Sequence, residues 1–93
     1  MNDEKILTLH PQGKQGVNIS KAKYDQMRFE ILQTLKENKG LTFKELAELL
    51  KIGMPDFDGS ILWYLTTVKL DLEARGEVIR MKGKGAQRLF LKR

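Results

Sequence analysis

The side chains able to do chemistry gather in the last nineteen residues. Arg75, Arg80, Lys82, Lys84, Arg88, Lys92 and Arg93 stand there against one acid, Glu77, a net of +6, while residues 1–74 hold ten basic and eleven acidic groups. Cations at this density suit a polyanion, because each one that neutralises a phosphate releases a condensed counterion. Gly83 and Gly85 bracket Lys84. They let a backbone approach a phosphate chain, with Arg80, Lys82, Lys84 and Arg88 supplying charge. The same charges have a plainer use, since Lys and Arg on an edge hairpin discourage pairing with another chain. Lys14, Lys21 and Lys23 extend the patch if residues 1–19 lie beside it.

Other chemistry is poorly served. Asp56 and Asp58 lie two apart at a helix start, where capping explains paired carboxylates. His10 beside Pro11 has no Ser, Cys or Asp constellation to activate, and Gly83-Lys84-Gly85 lacks the spacing of a phosphate-binding or dinucleotide loop. Without cysteine there is neither a disulfide nor a thiolate metal site. No catalytic residue, metal ligand, cofactor or small-molecule substrate is expected, and an enzyme is the least supported class.

Ninety-three residues, 41% of them apolar and 31% charged, suffice for one globular domain with a modest core. Acids at positions 3 and 4 and a longest apolar run of only Ile61–Leu65 argue against a signal peptide or a membrane span, so a cytoplasmic protein without a membrane partner is expected.

The elements that must position the cationic tail follow from periodicity. Residues 1–19 read as an extended segment docking on the domain: Ile6–Leu9 is strand-like, His10–Gly16 has the proline and glycines of a turn or loop, and Val17–Ile19 alternates again. Ser20 caps a first helix whose stripe is Tyr24, Met27, Ile31 and Leu35, widened by Phe29 and Leu32, with a stop at Asn38-Lys39-Gly40. Lys36 and Lys39 suit the negative end of that helix. Thr42-Phe43-Lys44-Glu45 is a capping box for a second helix with Leu46, Ala47, Leu49 and Leu50 on its apolar face, ending by Pro55. Asp56, Asp58 and Ser60 offer caps for a third helix, which runs to Arg75 with Gly76 as its left-handed terminator. Glu77–Lys82 and Gln87–Leu91 are hairpin strands, with Ile79 and Met81 on the buried face and Arg80 and Lys82 on the other.

Helix, capped short helix, long helix, hairpin is an order that resembles the winged helix-turn-helix superfamily over residues 20–93. At finer grain, His10–Ile19 and Trp63–Gly76 are similar to segments of small bacterial winged-helix proteins of unassigned function. The resemblance implies an α+β fold of three helices with a C-terminal β-hairpin wing and an N-terminal extended segment, the third helix lying in a DNA major groove. The stretch Ile52–Asp58 exceeds the usual three- to four-residue turn of a helix-turn-helix, which leaves the angle between the second and third helices open.

A face count of the third helix sharpens the functional expectation. At about 100° per residue, Ile61, Leu65, Val68 and Leu72 form the core stripe. Trp63, Thr66, Thr67, Leu70 and Ala74 face outward, flanked by Lys69, Asp71, Glu73 and Arg75. Base edges are read by directional donors and acceptors, and this outward face has almost none. Two of its four flanking charges would repel phosphate. The expected function is therefore nucleic-acid binding, of duplex DNA at low sequence specificity, through Arg80, Lys82, Lys84 and Arg88 with lateral help from Lys69 and Arg75; the resemblance implies a transcriptional regulator. The competing expectation is a protein-interaction or dimerisation module whose face is Trp63, Thr67, Leu70 and Ala74. An apolar strip of this kind calls for a cover. Residues 6–19, a second copy of the chain, or burial of Trp63 in the core would each provide one.

Overall fold

The structure is a computed structural model that describes residues 4–83 and 85–92. It is α+β, with three helices and two small antiparallel hairpins in the order β1 (Lys5–Leu7), β2 (Asn18–Ser20), α1 (Lys21–Glu37), α2 (Phe43–Gly53), α3 (Ile61–Ala74), β3 (Val78–Met81), β4 (Arg88–Leu91). Among the described residues no helix is long and apolar enough to cross a membrane.

Each helix starts on a side-chain cap. Ser20 Oγ accepts from the Lys23 amide at 3.4 Å and opens α1, which buries Tyr24, Met27, Ile31 and Leu35 at three- and four-residue spacing. Phe29 does not widen this stripe; it is 62% exposed, because at about 100° per residue it lies nearly opposite the buried face of α1. In α2 both halves of the capping box form: the Glu45 amide donates to Thr42 Oγ1 at 3.1 Å, and the Thr42 amide donates to Glu45 Oε1 at 2.9 Å. The Thr42 amide first, then its hydroxyl, hold the Glu45 carboxyl below the usual range, so this contribution is present at neutral pH and lost as pH falls through that lowered value. Thr42→Ala is expected to cost about 1 kcal/mol, within the roughly 0.5–2 kcal/mol typical of such caps. In urea the midpoint should fall with an unchanged slope; an unmoved midpoint would contradict the cap.

Of the three caps offered to α3, Ser60 is the one used, its Oγ accepting from the Trp63 amide at 3.1 Å. The connection from Met54 to Ser60 is held by packing: Met54 is buried, and the Phe57 ring stands edge-on to Tyr64 at 5.2 Å. At its other end α3 stops because Gly76 turns left-handed at φ 78°, which lets the Glu77 amide reach Leu72 O at 2.9 Å and the Gly76 amide reach Glu73 O at 3.1 Å.

The N-terminal residues form a hairpin, with Lys5 opposite Ser20, Ile6 opposite Ile19 and Leu7 opposite Asn18. Thr8 extends the pairing through three bonds to Val17, two of them made by its own hydroxyl. Gly16 passes so close to this residue that a Cβ there would sit 1.7 Å from the Thr8 carbonyl oxygen, which excludes any larger side chain.

In the C-terminal hairpin Val78 faces Leu91, Ile79 faces Phe90, Arg80 faces Leu89 and Met81 faces Arg88. Leu41 adds a bridge on the far side of β4, with its amide and carbonyl both bonded to Leu89. This register overturns the expected phase. Side chains alternate, so Val78, Arg80, Leu89 and Leu91 share the inner face, where Val78 and Leu89 are buried. Ile79 and Met81 lie outward, 39% and 57% exposed. Arg80 tolerates the inner face because its stem can lie along apolar surface while the guanidinium reaches Glu73 Oε1 at 3.5 Å.

Candidate nucleic-acid interface

The expected cationic surface is smaller than the charge count of the last nineteen residues implies, because three of its arginines turn back onto acids elsewhere. Arg75 Nε donates to Asp71 Oδ2 at 2.8 Å, Arg80 meets Glu73, and Arg88 Nη1 donates to Gly40 O at 2.9 Å and lies 3.4 Å from Glu45. Arg88 remains half-exposed with donors to spare, and Lys82 is exposed at the end of β3. Lys84 lies outside the described residues.

Lys69 changes role altogether. It is buried at 9% exposure, 2.8 Å from Glu73 and with its ammonium 5.6 Å from the centre of the Phe43 ring. It is not presented to a phosphate, and Arg75 is committed to Asp71. The expected lateral contacts from these two are thereby withdrawn. So is the expected repulsion. Asp71 is fully buried, and the Glu73 side chain, 7% exposed, sits between Lys69 and Arg80, so neither acid shows a free charge to the surface.

Asp71 is the residue that sequence reasoning misplaced most. Its Oδ1 accepts from the Leu9 amide at 2.8 Å, and its Oδ2 accepts from the Tyr24 hydroxyl and from Arg75. One carboxylate thus ties the N-terminal hairpin, α1 and the end of α3 together. Burial, then the bond to Asp71, pushes the Tyr24 hydroxyl well above its usual value. The same carboxylate raises the Arg75 guanidinium through its hydrogen bond. An acid directly before Leu72 of the core stripe was the available signal, but partners 47 and 62 positions away have no local trace.

The outward face of α3 is divided. Thr67 and Leu70 are half-buried under the N-terminal hairpin, where they line a small cavity of about 110 Å³ with Thr8, Leu9, His10 and Val17. Ala74 is half-buried as well. Trp63 stays 48% exposed beside Leu62 at 49%, its ring edge-on to Tyr64 at 4.9 Å. Residues 6–19 therefore cover Thr67 and Leu70 and leave Trp63 outside. The Thr66 hydroxyl is bonded to Leu62 O in its own helix at 2.8 Å. Base-reading groups are accordingly scarce on this helix.

Among the described residues no group of three or more His, Asp or Glu side chains gathers as a metal site. The profile of one family matches residues 5–89, from the first residue of β1 into β4, and its description is a family of unknown function, DUF6958. No curated protein and no solved structure matches the chain.

Proposed function

We propose that this chain, which belongs to the DUF6958 family of unknown function, is a winged-helix nucleic-acid-binding protein that grips duplex DNA through its backbone at low sequence specificity. The observation that carries this reading is the neutralisation of Asp71 and Glu73 inside the fold. With both acids withdrawn, the surface beside the hairpin carries Lys82 and the half-exposed Arg88 without a competing anion on α3. The helix that this fold would lay in the groove presents Trp63 and Thr66, which supply little directional hydrogen bonding to base edges. Affinity then rests on phosphates, and in a winged-helix scaffold that makes a regulator or organiser of DNA rather than a reader of one operator.

Titrating labelled random duplex at two or more salt concentrations tests this. With Arg75 and Arg80 committed to Asp71 and Glu73, neutralisation of about three phosphates gives a log–log salt slope near −2.7, at about −0.9 per phosphate. Lys82→Ala with Arg88→Ala should flatten the slope by about 1.8. No binding at low salt would dispose of the reading. The second reading, a protein-interaction or dimerisation module, draws on Leu62 and Trp63, two adjacent large apolar side chains left about half-exposed. It predicts that Trp63→Asp changes the sedimentation behaviour of the intact protein.

A further inference from the structure

The reversed phase of the C-terminal hairpin creates a surface that the charge pattern alone did not show. Its outward face carries Phe90 between two open clefts of about 280 Å³ each. One, toward the hairpin tip, is lined by Met81, Lys82, Gly83, Ala86 and Arg88 with Phe90. The other, toward the end of α1, is lined by Leu35, Lys36, Lys39, Gly40 and Leu91 with Phe90. Lys36, Lys39 and Lys82 are exposed, and none of them pairs with an acid among the described residues.

Resting on the nucleic-acid reading above, we infer that this two-lobed groove takes an unpaired polynucleotide strand, with a base against Phe90, phosphates on Lys82 at one end and on Lys36 and Lys39 at the other, and Arg88, bonded to Gly40 O, between them. The charge arrangement selects this occupant. Cations stand at both ends of the groove and an aromatic wall with apolar flanks stands in the middle, which is the alternation a strand offers in its phosphates and bases. A small anion would use one end only. A compact ligand would leave much of its surface wet in clefts this open, whereas small-molecule sites bury most of theirs. A duplex keeps its bases stacked and cannot offer one to Phe90 without unpairing it. The packing supports a fixed wall: Gly40 leaves the Phe90 ring room where a Cβ would come within 2.7 Å of it, and Gly40 O holds Arg88 at 2.9 Å.

The test is fluorescence anisotropy with a labelled oligo-dT and, in parallel, a random duplex. Lys36→Ala with Lys39→Ala removes two exposed charges that the duplex reading does not use. It should weaken oligo-dT binding several-fold and flatten its salt slope by about 1.4, at about −0.7 per phosphate for a single strand, while duplex affinity stays within about twofold. Phe90→Leu should weaken oligo-dT about tenfold and Phe90→Tyr should restore it, since only the ring is required; an unshifted melting curve shows that the fold survives. Duplex binding without oligo-dT binding overturns the inference and leaves the proposed function standing. Oligo-dT binding that ignores both sets of variants also overturns it. Oligo-dT binding that responds as stated while duplex does not bind supports the groove and removes the duplex reading. Absence of binding to either removes both.

Discussion

Asp71→Ala is expected to lower the unfolding free energy by about 3 kcal/mol, toward the lower end of the roughly 3–5 kcal/mol seen when one partner of a buried pair is removed. The carboxylate is fully buried, and three donors converge on it from three parts of the chain: the Leu9 amide, the Tyr24 hydroxyl and the Arg75 guanidinium. Arg75, whose side chain is 35% exposed, can recover water, which is why the upper end is not reached. Tyr24 is buried and cannot, and a buried donor left unmade costs about 1–3 kcal/mol. Asp71→Asn keeps an acceptor and the shape, so it should cost clearly less. Urea unfolding gives both values, and amide exchange at Leu9 should accelerate in the alanine variant ahead of exchange in α2. A loss under about 1 kcal/mol would mean that the cluster does not tie these elements together.

The same cluster has a pH signature at the alkaline end. Because burial and the bond to Asp71 raise the Tyr24 hydroxyl above its usual 10.0, the folded protein keeps a proton that the unfolded chain has released there. Its contribution is therefore whole below about pH 10 and is lost as pH climbs from there toward the raised value. Lysines titrate in the same range, so the Tyr24→Phe variant is the control: its stability should fall less steeply above pH 10 than that of the unsubstituted protein.

Gly40→Ala is expected to cost about 2–5 kcal/mol through two additive causes. At φ 71° an L side chain is strained by roughly 1–2 kcal/mol. The new Cβ would also stand 2.7 and 2.8 Å from atoms of the Phe90 ring, and overpacking of this kind typically costs roughly 1–3 kcal/mol. The position matters beyond its own strain. Gly40 O accepts from Arg88, and Leu41 exchanges both backbone bonds with Leu89, so this short segment is the seam between the helices and the C-terminal hairpin. Phe90→Leu in the Gly40→Ala background should return part of the loss by relieving the clash while the backbone strain remains. Strict additivity of the two substitutions in thermal or urea unfolding would show that the ring is not what Gly40 accommodates.

Much of the local architecture is legible in the sequence, because it depends on neighbours a few residues apart. The Thr42–Glu45 capping box, the Ser20 cap, the Tyr24–Met27–Ile31–Leu35 stripe and the Gly76 terminator all rest on interactions within one helical turn or on one residue's conformational freedom. Charge is legible as composition but not as disposition. The count of +6 in the last nineteen residues says nothing of Arg75, Arg80 and Arg88 spending themselves on Asp71, Glu73 and Glu45, since those pairings need the helices packed. The hairpin phase failed for a related reason. Val78-Ile79 and Leu89-Phe90-Leu91 put apolar residues on both faces of the hairpin, so either face could have been buried, and a slip of one position exchanges the faces. Only the pairing of Val78 with Leu91 and of Leu41 with Leu89 decides that Ile79, Met81, Arg88 and Phe90 look outward. Tertiary packing likewise decides that the N-terminal hairpin covers Thr67 and Leu70 but stops short of Trp63, because its anchor is a bond from Leu9 to a buried carboxylate 62 residues away.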